Sequence, residues 1–480
     1  MIQVEDGVRF REVDEAVLFS FDDSSFPFQD GLSLELVAGH KYPGNPVVKR
    51  GKPGEPDCRC VRESGGAVVR VGGRYWMWYL GRGDQDDDLP ALYPSYFPGW
   101  LQSRVCYAVS QDGFHWEKPE LGLVEYNGNT QNNLIQFPRR DLLAMFVLHD
   151  PEDRERPFKM VFQCTEYGSR LAVAYSRDGL HWSESPDNPV GGRLIEPGGL
   201  VKFHGCYYVN GQIGGPRKMH TFASYDFEHW TDASAVSFRR DDILPRSLAS
   251  PPLEQNHQGA SLWNRGNVIV GFYGQWHGHK NNDRRFVDMD LGLLVSNDAI
   301  HFREPIPDFK MIPGSEEIDG AGPALMQMQG FENVADQTLV WYIAWREGDV
   351  RVATWPRDRL GHYALSHIAP GQTPGKNAHL LSCPLHLDRP GGRMFINADG
   401  LSEHCCLRVE ICDLSFRRLP GYSAEDCILL TESGLRQPVT WRNRTTLEKF
   451  DRPIRIRVSF EGLRPEDARV YALYVSQGET

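Results

Sequence analysis

Short runs in which apolar and polar residues alternate, each closed by glycine, proline, asparagine or aspartate, recur along almost the whole chain. A period of two predicts β-strands, and the breakers between the runs predict tight turns. The runs come in pairs. Gly65-Gly66-Ala67-Val68-Val69-Arg70 turns at Gly72-Gly73 into Tyr75-Trp76-Met77-Trp78-Tyr79, and Leu142 to Leu148 turns across Pro151 to Pro157 into Phe158 to Phe162. Gly199 to Phe203 turns at His204-Gly205 into Cys206 to Val209. Ala260 to Trp263 precedes Val268 to Tyr273, and Pro323 to Met326 precedes Leu339 to Ile343. That makes five paired units between about residue 57 and residue 365.

A recurring ending follows these units. It reads Tyr107-Ala-Val-Ser110-Gln-Asp112-Gly113-Phe-His115-Trp116, then Tyr175-Ser176-Arg-Asp178-Gly179-Leu-His181-Trp182. Weaker copies are Ser224-Tyr-Asp226-Phe-Glu-His229-Trp230 and Ser296-Asn-Asp298-Ala-Ile-His301-Phe302, with a decayed fifth at Ala353-Thr-Trp355-Pro-Arg-Asp358. Strand-rich repeats of roughly 45 to 70 residues are the signature of propeller blades. The motif has a local reason: the Asp carboxylate binds nearby backbone amides, Gly tolerates positive φ, and the Trp packs between blades. These residues are read as structural, and catalysis is sought elsewhere. The expected fold is all-β: a five-bladed β-propeller over 57–368, then a C-terminal antiparallel β-sandwich over 377–480. The Pro/Gly-rich Ile368 to Gly375 links the two, and residues 1–56 are expected to wrap the propeller and supply a closing strand. In the sandwich, Cys406 to Cys412 and Ile454 to Phe460 alternate cleanly.

Composition agrees. The 480 residues include 47 Gly, 32 Pro, 12 Trp, 18 Tyr and 24 Phe, which excludes a mostly helical bundle. A net charge of −12 disfavours non-specific nucleic-acid binding. The longest apolar run, Leu142 to Leu148, is far too short to span a membrane. Met1 to Phe10 carries Glu5, Asp6 and Arg9 and lacks a signal-peptide core, so the chain as given is expected to be soluble and cytoplasmic. A secreted or periplasmic location would require a leader already removed. The ten cysteines form no C-x-x-C pair; buried thiols are expected, with neither a disulfide scaffold nor a zinc site. No cofactor is required, and a homo-oligomer stays open.

In a propeller the innermost strands line a central channel, and ligands bind where those strands begin. Just ahead of the five inner strands stand Glu63, Asp141, Glu196, His257-Gln258, and Glu317 with Asp319. Every unit thus puts an ionisable residue at its mouth. Polar turns explain one or two such placements; five in a row point to a functional ring. Converging carboxylates suit glycosidic cleavage, in which one stays ionised as nucleophile or base and another, its pKa raised, protonates the leaving oxygen. Glu63, Asp141 and Glu196 are the catalytic candidates. Arg62, Arg82, Trp78, His257, Gln258, Trp276, Glu317 and Asp319 are the substrate-binding candidates. Arg59, Arg62 and Arg82 suit a carboxylate or phosphate on the substrate. Trp76, Trp78, Trp263 and Trp276 are placed either to stack on a sugar or to fill the core.

The blade-by-blade order of acid, acid, Glu resembles the five-bladed propeller glycoside hydrolases of families 32, 43 and 68. Arg62-Glu63-Ser64-Gly65-Gly66-Ala67 is similar to their Asn-Asp-Pro-Asn-Gly-Leu, and Glu196 opens Glu-Pro-Gly-Gly-Leu. The resemblance implies a nucleophile or base at Glu63, a stabilising carboxylate at Asp141 and a proton donor at Glu196. It also implies an oligosaccharide or glycoside substrate, with a fructoside-like or arabinoside-like furanosidic bond. The sandwich resembles the one that follows the propeller in family 32. Two departures stand out. Glu replaces Asp in the first unit, and the Arg-Asp-Pro signature of the second is absent; His149-Asp150-Pro151 matches it in letters but at the far end of the strand, leaving Asp150 as the alternative to Asp141. Some family 43 relatives hold a channel ion with a histidine where His257 stands.

Three rivals remain. Ser-x-Asp-Gly-x-His-Trp resembles the sialidase Asp-box, but with one residue fewer between Asp and Gly. A mannoside phosphorylase would need a basic phosphate pocket at the mouth. A non-catalytic glycan-binding propeller would need neither.

Overall fold

The computed structural model describes residues 12–86, 103–213, 217–240, 256–277, 287–316, 323–345, 348–366, 378–462, 464 and 466–477, without the side chains of 62–64. The fold is all-β. The one helical element among these residues is the short turn Asp84–Asp86, and none is long and apolar enough to cross a membrane.

Five antiparallel meanders follow one another along the chain. The first comprises Cys60–Val71, Arg74–Arg82, Arg104–Ser110 and Trp116–Glu117; the second Leu142–His149, Phe158–Cys164, Ala172–Ser176 and Trp182–Glu184. The third comprises Glu196–Phe203, Cys206–Gln212, Met219–Ser224 and Ala235–Phe238. The fourth holds Asn256–Asn264, Ile269–His277 and Asp288–Ser296; the fifth holds Leu325–Val334, Gln337–Ala344 and Asp349–Pro356. His40–Lys41 adds antiparallel to the outer strand of the fifth. Two hairpins turn on consecutive positive-φ residues, Gly72-Gly73 and His204-Gly205, the backbone that matches the right-handed twist of paired strands.

The first strands of the meanders touch in cyclic order, so the meanders are blades of a propeller. Gly65 bridges Met145 in parallel, and Gln329 bridges Ala67. Glycine is required at this closest approach: a Cβ on Gly65 would stand 2.2 Å from the Met145 carbonyl, and one on Gly199 2.0 Å from that of Ala260. Each blade also has a register irregularity between its first two strands. Side-chain amides close the gaps this leaves. Asn210 bonds both the N–H and the C=O of Ala260 at 2.8 Å. The Gln329 carbonyl accepts from Leu200 N (3.3 Å) and Leu262 N (3.0 Å), while its amide donates to Leu262 O.

The repeated ending is the same turn four times. Asp112 Oδ1 accepts from the Phe114 and His115 amides, Asp112 Oδ2 meets His115 Nδ1 at 2.7 Å, and the same bonds recur at Asp178, Asp226 and Asp298. In the third and fourth copies the glycine slot is filled by Phe227 and Ala299, at φ +68° and +66°. The decayed fifth copy departs from the pattern. Asp358 is buried and binds Arg265 across blades, together with Asn333 and Tyr474.

Two sheets form the sandwich. One orders Gly434–Val439, Arg393–Asp399, Arg469–Ser476, Gly361–Leu365 and Leu32–Leu36, with Glu15–Phe19 also paired to Arg469–Ser476. The other orders Phe28–Asp30, His379–Leu381, Ile454–Glu461 and Cys406–Asp413. Ile396, Leu407, Val409, Ile411, Ile456, Val458 and Leu473 belong to the core between them. Phe19, Ala472 and Tyr474 of the first sheet share a second core with Phe272, Tyr342 and Trp355 of the blades. All ten cysteines are free thiols.

Candidate active site at the propeller mouth

The inner strands run in the same direction, so their starts gather at one end of the ring. On that level Glu63 lies two residues ahead of Gly65, Asp141 directly precedes Leu142, and Glu196 opens Glu196–Phe203. His257 and Gln258 follow Asn256 at the start of the fourth blade, and a Cβ on Gly198 would stand 2.7 Å from the Gln258 carbonyl. The third and fourth mouths are therefore adjacent. Glu317 and Asp319 lie outside the described residues, as do the side chains of Arg62 and Glu63.

Asp141 Oδ2 accepts from the Thr165 hydroxyl (2.9 Å) and the Glu166 amide (3.0 Å), which fixes it against the turn that ends Phe158–Cys164. Glu196 is half-buried and pairs in register with Gln212. Gln212 Oε1 accepts from Arg217 Nη1 at 3.2 Å and faces the Gln258 amide at 3.5 Å. The Arg217 carbonyl accepts from Asn256 Nδ2 at 2.6 Å, and its guanidinium lies 3.6 Å from the centroid of Trp276. His257 stacks on that indole with centroids 5.0 Å apart and 22° between planes. Gln327 holds the strand by donating to the carbonyls of His257 and Gly259, both at 3.0 Å. Gln258 between them sits at φ +61°, a conformation sparsely populated by a side chain of this size.

Glu196, His257, Gln258 and Trp276 are thus brought together, with Gln212, Arg217 and Asn256 as members that the sequence reading missed. Counting outward from the His204-Gly205 hairpin puts Ile213 opposite Glu196, and the register irregularity between Pro197 and Gly199 brings Gln212 there instead. Arg217 stands in a connection with no periodicity to mark it.

Other candidates are placed differently. Trp78 is fully buried between the first two blades, its indole N–H donating to Gly179 O at 2.8 Å. Trp276 is also buried, its ring covered by His257 and Arg217. Arg82 is buried and donates to Asp86 O at 3.0 Å, while Arg104 pairs with Asp86 and Arg59 with Asp84. Acids thus face Arg59 and Arg104. Asp150 lies at the opposite end of its strand, buried against Lys202 and Tyr207. Burial pushes its carboxyl up, but the Tyr207 and Lys202 bonds outweigh this and the net shift is downward. Among the described residues no group of three or more His, Cys, Asp or Glu is gathered as a metal site.

No family model matches the chain. The uncharacterized protein Rv1502 of Mycobacterium tuberculosis is 29% identical over 120 residues, covering 24% of this chain and 32% of that protein. The uncharacterized protein MT1551, from another strain of the organism, matches to the same extent. The chain thus spans about a third of the length of the curated relatives it matches. Among solved structures, a glycosyl hydrolase from Bacteroides ovatus aligns over 68% of this chain and 95% of its own, at 15% identity and a TM-score of 0.47. A beta-1,2-mannobiose phosphorylase from Listeria innocua aligns over 67% and 97%, at 14% identity and 0.44. A family 43 arabinoxylan arabinofuranohydrolase from Bacillus subtilis aligns over 92% and 99%, at 10% identity and 0.40. With TM-scores below 0.5, none of these likenesses carries an activity to this chain.

Proposed function

We propose that this chain is a carbohydrate-active enzyme that hydrolyses O-glycosidic bonds at the propeller mouth, on a furanosidic substrate of fructoside or arabinoside type. The observation that supports it is the ring itself: Asp141 and Glu196 stand at the starts of the second and third inner strands, and Glu63 lies within the first, Cys60–Val71, two residues ahead of the Gly65–Met145 bridge. Glu196 is the proton donor, Glu63 the nucleophile or base, and Asp141 the carboxylate that steadies the developing positive charge on the sugar. Gln258 stands at the same mouth with the His257–Trp276–Arg217 stack beside it, Arg62, Glu317 and Asp319 are further substrate-binding candidates, and Arg82 is buried against Asp86.

The test is a screen of aryl glycosides and oligosaccharides, comparing the native chain with Glu63→Gln and Glu196→Gln. A missing general acid or base lowers turnover roughly 10²–10⁴-fold. Unchanged turnover in both variants would remove the assignment. Running the screen with and without inorganic phosphate separates hydrolysis, which releases free sugar, from phosphorolysis, which releases a sugar phosphate. Absence of cleavage on every glycan, with binding retained, would leave a glycan-binding propeller.

A further inference from the structure

Of the eight large apolar side chains exposed on the described surface, five belong to the sandwich: Phe28, Leu414, Phe416, Ile428 and Leu429. Two of these meet. Phe28 (49% exposed) and Phe416 (54%) lie edge to face, with ring centroids 6.1 Å apart. Arg455 sits beside both, its guanidinium carbon 5.5 Å from the first ring and 5.6 Å from the second. Arg455 alternates with the core residues Ile454 and Ile456, so it stands on the outer face of the four-stranded sheet, away from the sandwich core. Phe416 is presented by a turn whose amides, at Ser415 and Arg417, bind Asp413 Oδ1. Its φ of +63° is disfavoured for a bulky residue, and the ring gains no burial in return.

Charge gives the ledge a direction. Arg408 pairs with Glu461, Arg417 with Asp413, and Arg418 and Arg457 with Glu410. Among the described residues, Arg455 alone of this group has no carboxylate in ion-pair reach. Its hydrogen bond runs from Nη1 to the Ser382 carbonyl at 2.7 Å, and its buried Nε has no partner. A half-buried guanidinium without a counter-charge, between two exposed flat rings, matches an anion attached to a flat, partly apolar body.

We propose that this ledge binds an acidic, uronate-bearing polysaccharide, one sugar face resting on Phe28 and Phe416 and a carboxylate meeting Arg455. The choice of a glycan over another anionic polymer rests on the glycan-acting reading of the mouth. The test is native affinity electrophoresis of the full chain in gels containing polygalacturonate, neutral hydroxyethylcellulose or polyglutamate. A chain of net charge −12 is repelled by any polyanion, so retardation requires a specific seat. The expected result is retardation by polygalacturonate alone, weakened at least about tenfold in Phe416→Ala, with thermal unfolding unchanged, and in Arg455→Ala, still folded at the assay temperature. No retardation, equal retardation by either other polymer, or retardation unaffected by both substitutions would overturn it. The two readings fail separately. Retardation without cleavage of any glycan would keep the ledge and remove the enzyme, whereas cleavage lost in Glu196→Gln without retardation would do the reverse.

Discussion

Gly113 and Gly179 each serve two blades at once. The Gly113 carbonyl accepts the indole N–H of Trp116 from its own turn and that of Trp341 from the preceding blade, both at 3.0 Å. Gly179 does the same for Trp182 and Trp78, both at 2.8 Å. A Cβ on Gly113, at φ +80°, would press to 2.7 Å from the Trp341 ring. Gly113→Ala is therefore expected to destabilise the chain by about 2 kcal/mol, from backbone strain plus displaced packing, readable by denaturant unfolding. The turn carboxylates give a pH signature. Burial opposes it, but bonds from the following amides and the His ring hold Asp112 and Asp178 down at about 2, against roughly 4 when unfolded. A depressed folded pKa contributes stability above pH 4 that is lost as pH falls from about 4 to 2. Asp112→Asn with Asp178→Asn should flatten that part of the stability–pH curve; an unchanged slope would contradict the turn geometry. At this scale the sequence was readable, because every bond of the turn lies within three residues. The two weaker copies kept the same backbone without glycine, since Phe227 and Ala299 gain full burial at their strained positions. Trp78 was ambiguous for the opposite reason: an aromatic in a strand looks the same whether it faces a sugar or a neighbouring blade.

At the scale of elements, the signal that located the mouth was an ionisable residue ahead of each inner strand, with carboxylates before glycine or leucine runs. Its two halves have different causes. The glycines answer a steric demand of the ring, as the 2.2 Å and 2.0 Å approaches of Gly65 and Gly199 require, and would stand there with or without chemistry. The acids answer no packing demand of that kind, and they carry the functional reading. The amides that stitch the inner strands could not be read in advance, because Asn210, Gln327 and Gln329 reach partners 50 or more residues away. Gln329→Ala would strand the Leu262 amide and carbonyl near the axis, for an expected loss of about 2 kcal/mol. A loss near zero would mean that water replaces the amide without cost. The wall beside Glu196 was half legible: His257 and Trp276 stood out as residue types, whereas Arg217 joined them only through folding.

For the molecule as a whole, a buried charge pair lies where the propeller meets the sandwich, beside the apolar core that the two share. Asp358 stands in the turn after the third strand of the fifth blade, Arg265 comes from the fourth, and Tyr474 of the sandwich donates to Asp358 Oδ2 at 2.8 Å. Burial raises the Asp358 carboxyl, yet Arg265 outweighs it and the net shift is downward. Asp358→Ala leaves the Arg265 charge buried without its partner, an expected cost of about 3–5 kcal/mol. Replacing both, as Arg265→Met with Asp358→Leu, should cost less than the single change. An equal or greater loss in the double variant would show that the pair itself stabilises the junction. The pairing of Glu15–Phe19 with Arg469–Ser476 joins strands more than 450 residues apart, and no local pattern encodes that. Composition likewise indicated an acidic, strand-rich chain without saying which acids converge.

The central claim is that Glu196 delivers a proton to the leaving oxygen at the propeller mouth. It is tested most directly by measuring kcat/KM for native chain and Glu196→Gln on aryl glycosides with leaving groups of graded acidity. The account predicts a loss of roughly 10²–10⁴-fold for poor leaving groups that shrinks toward none for strongly acidic phenols, which need no proton. A loss of equal size across the series, or no loss, would contradict it.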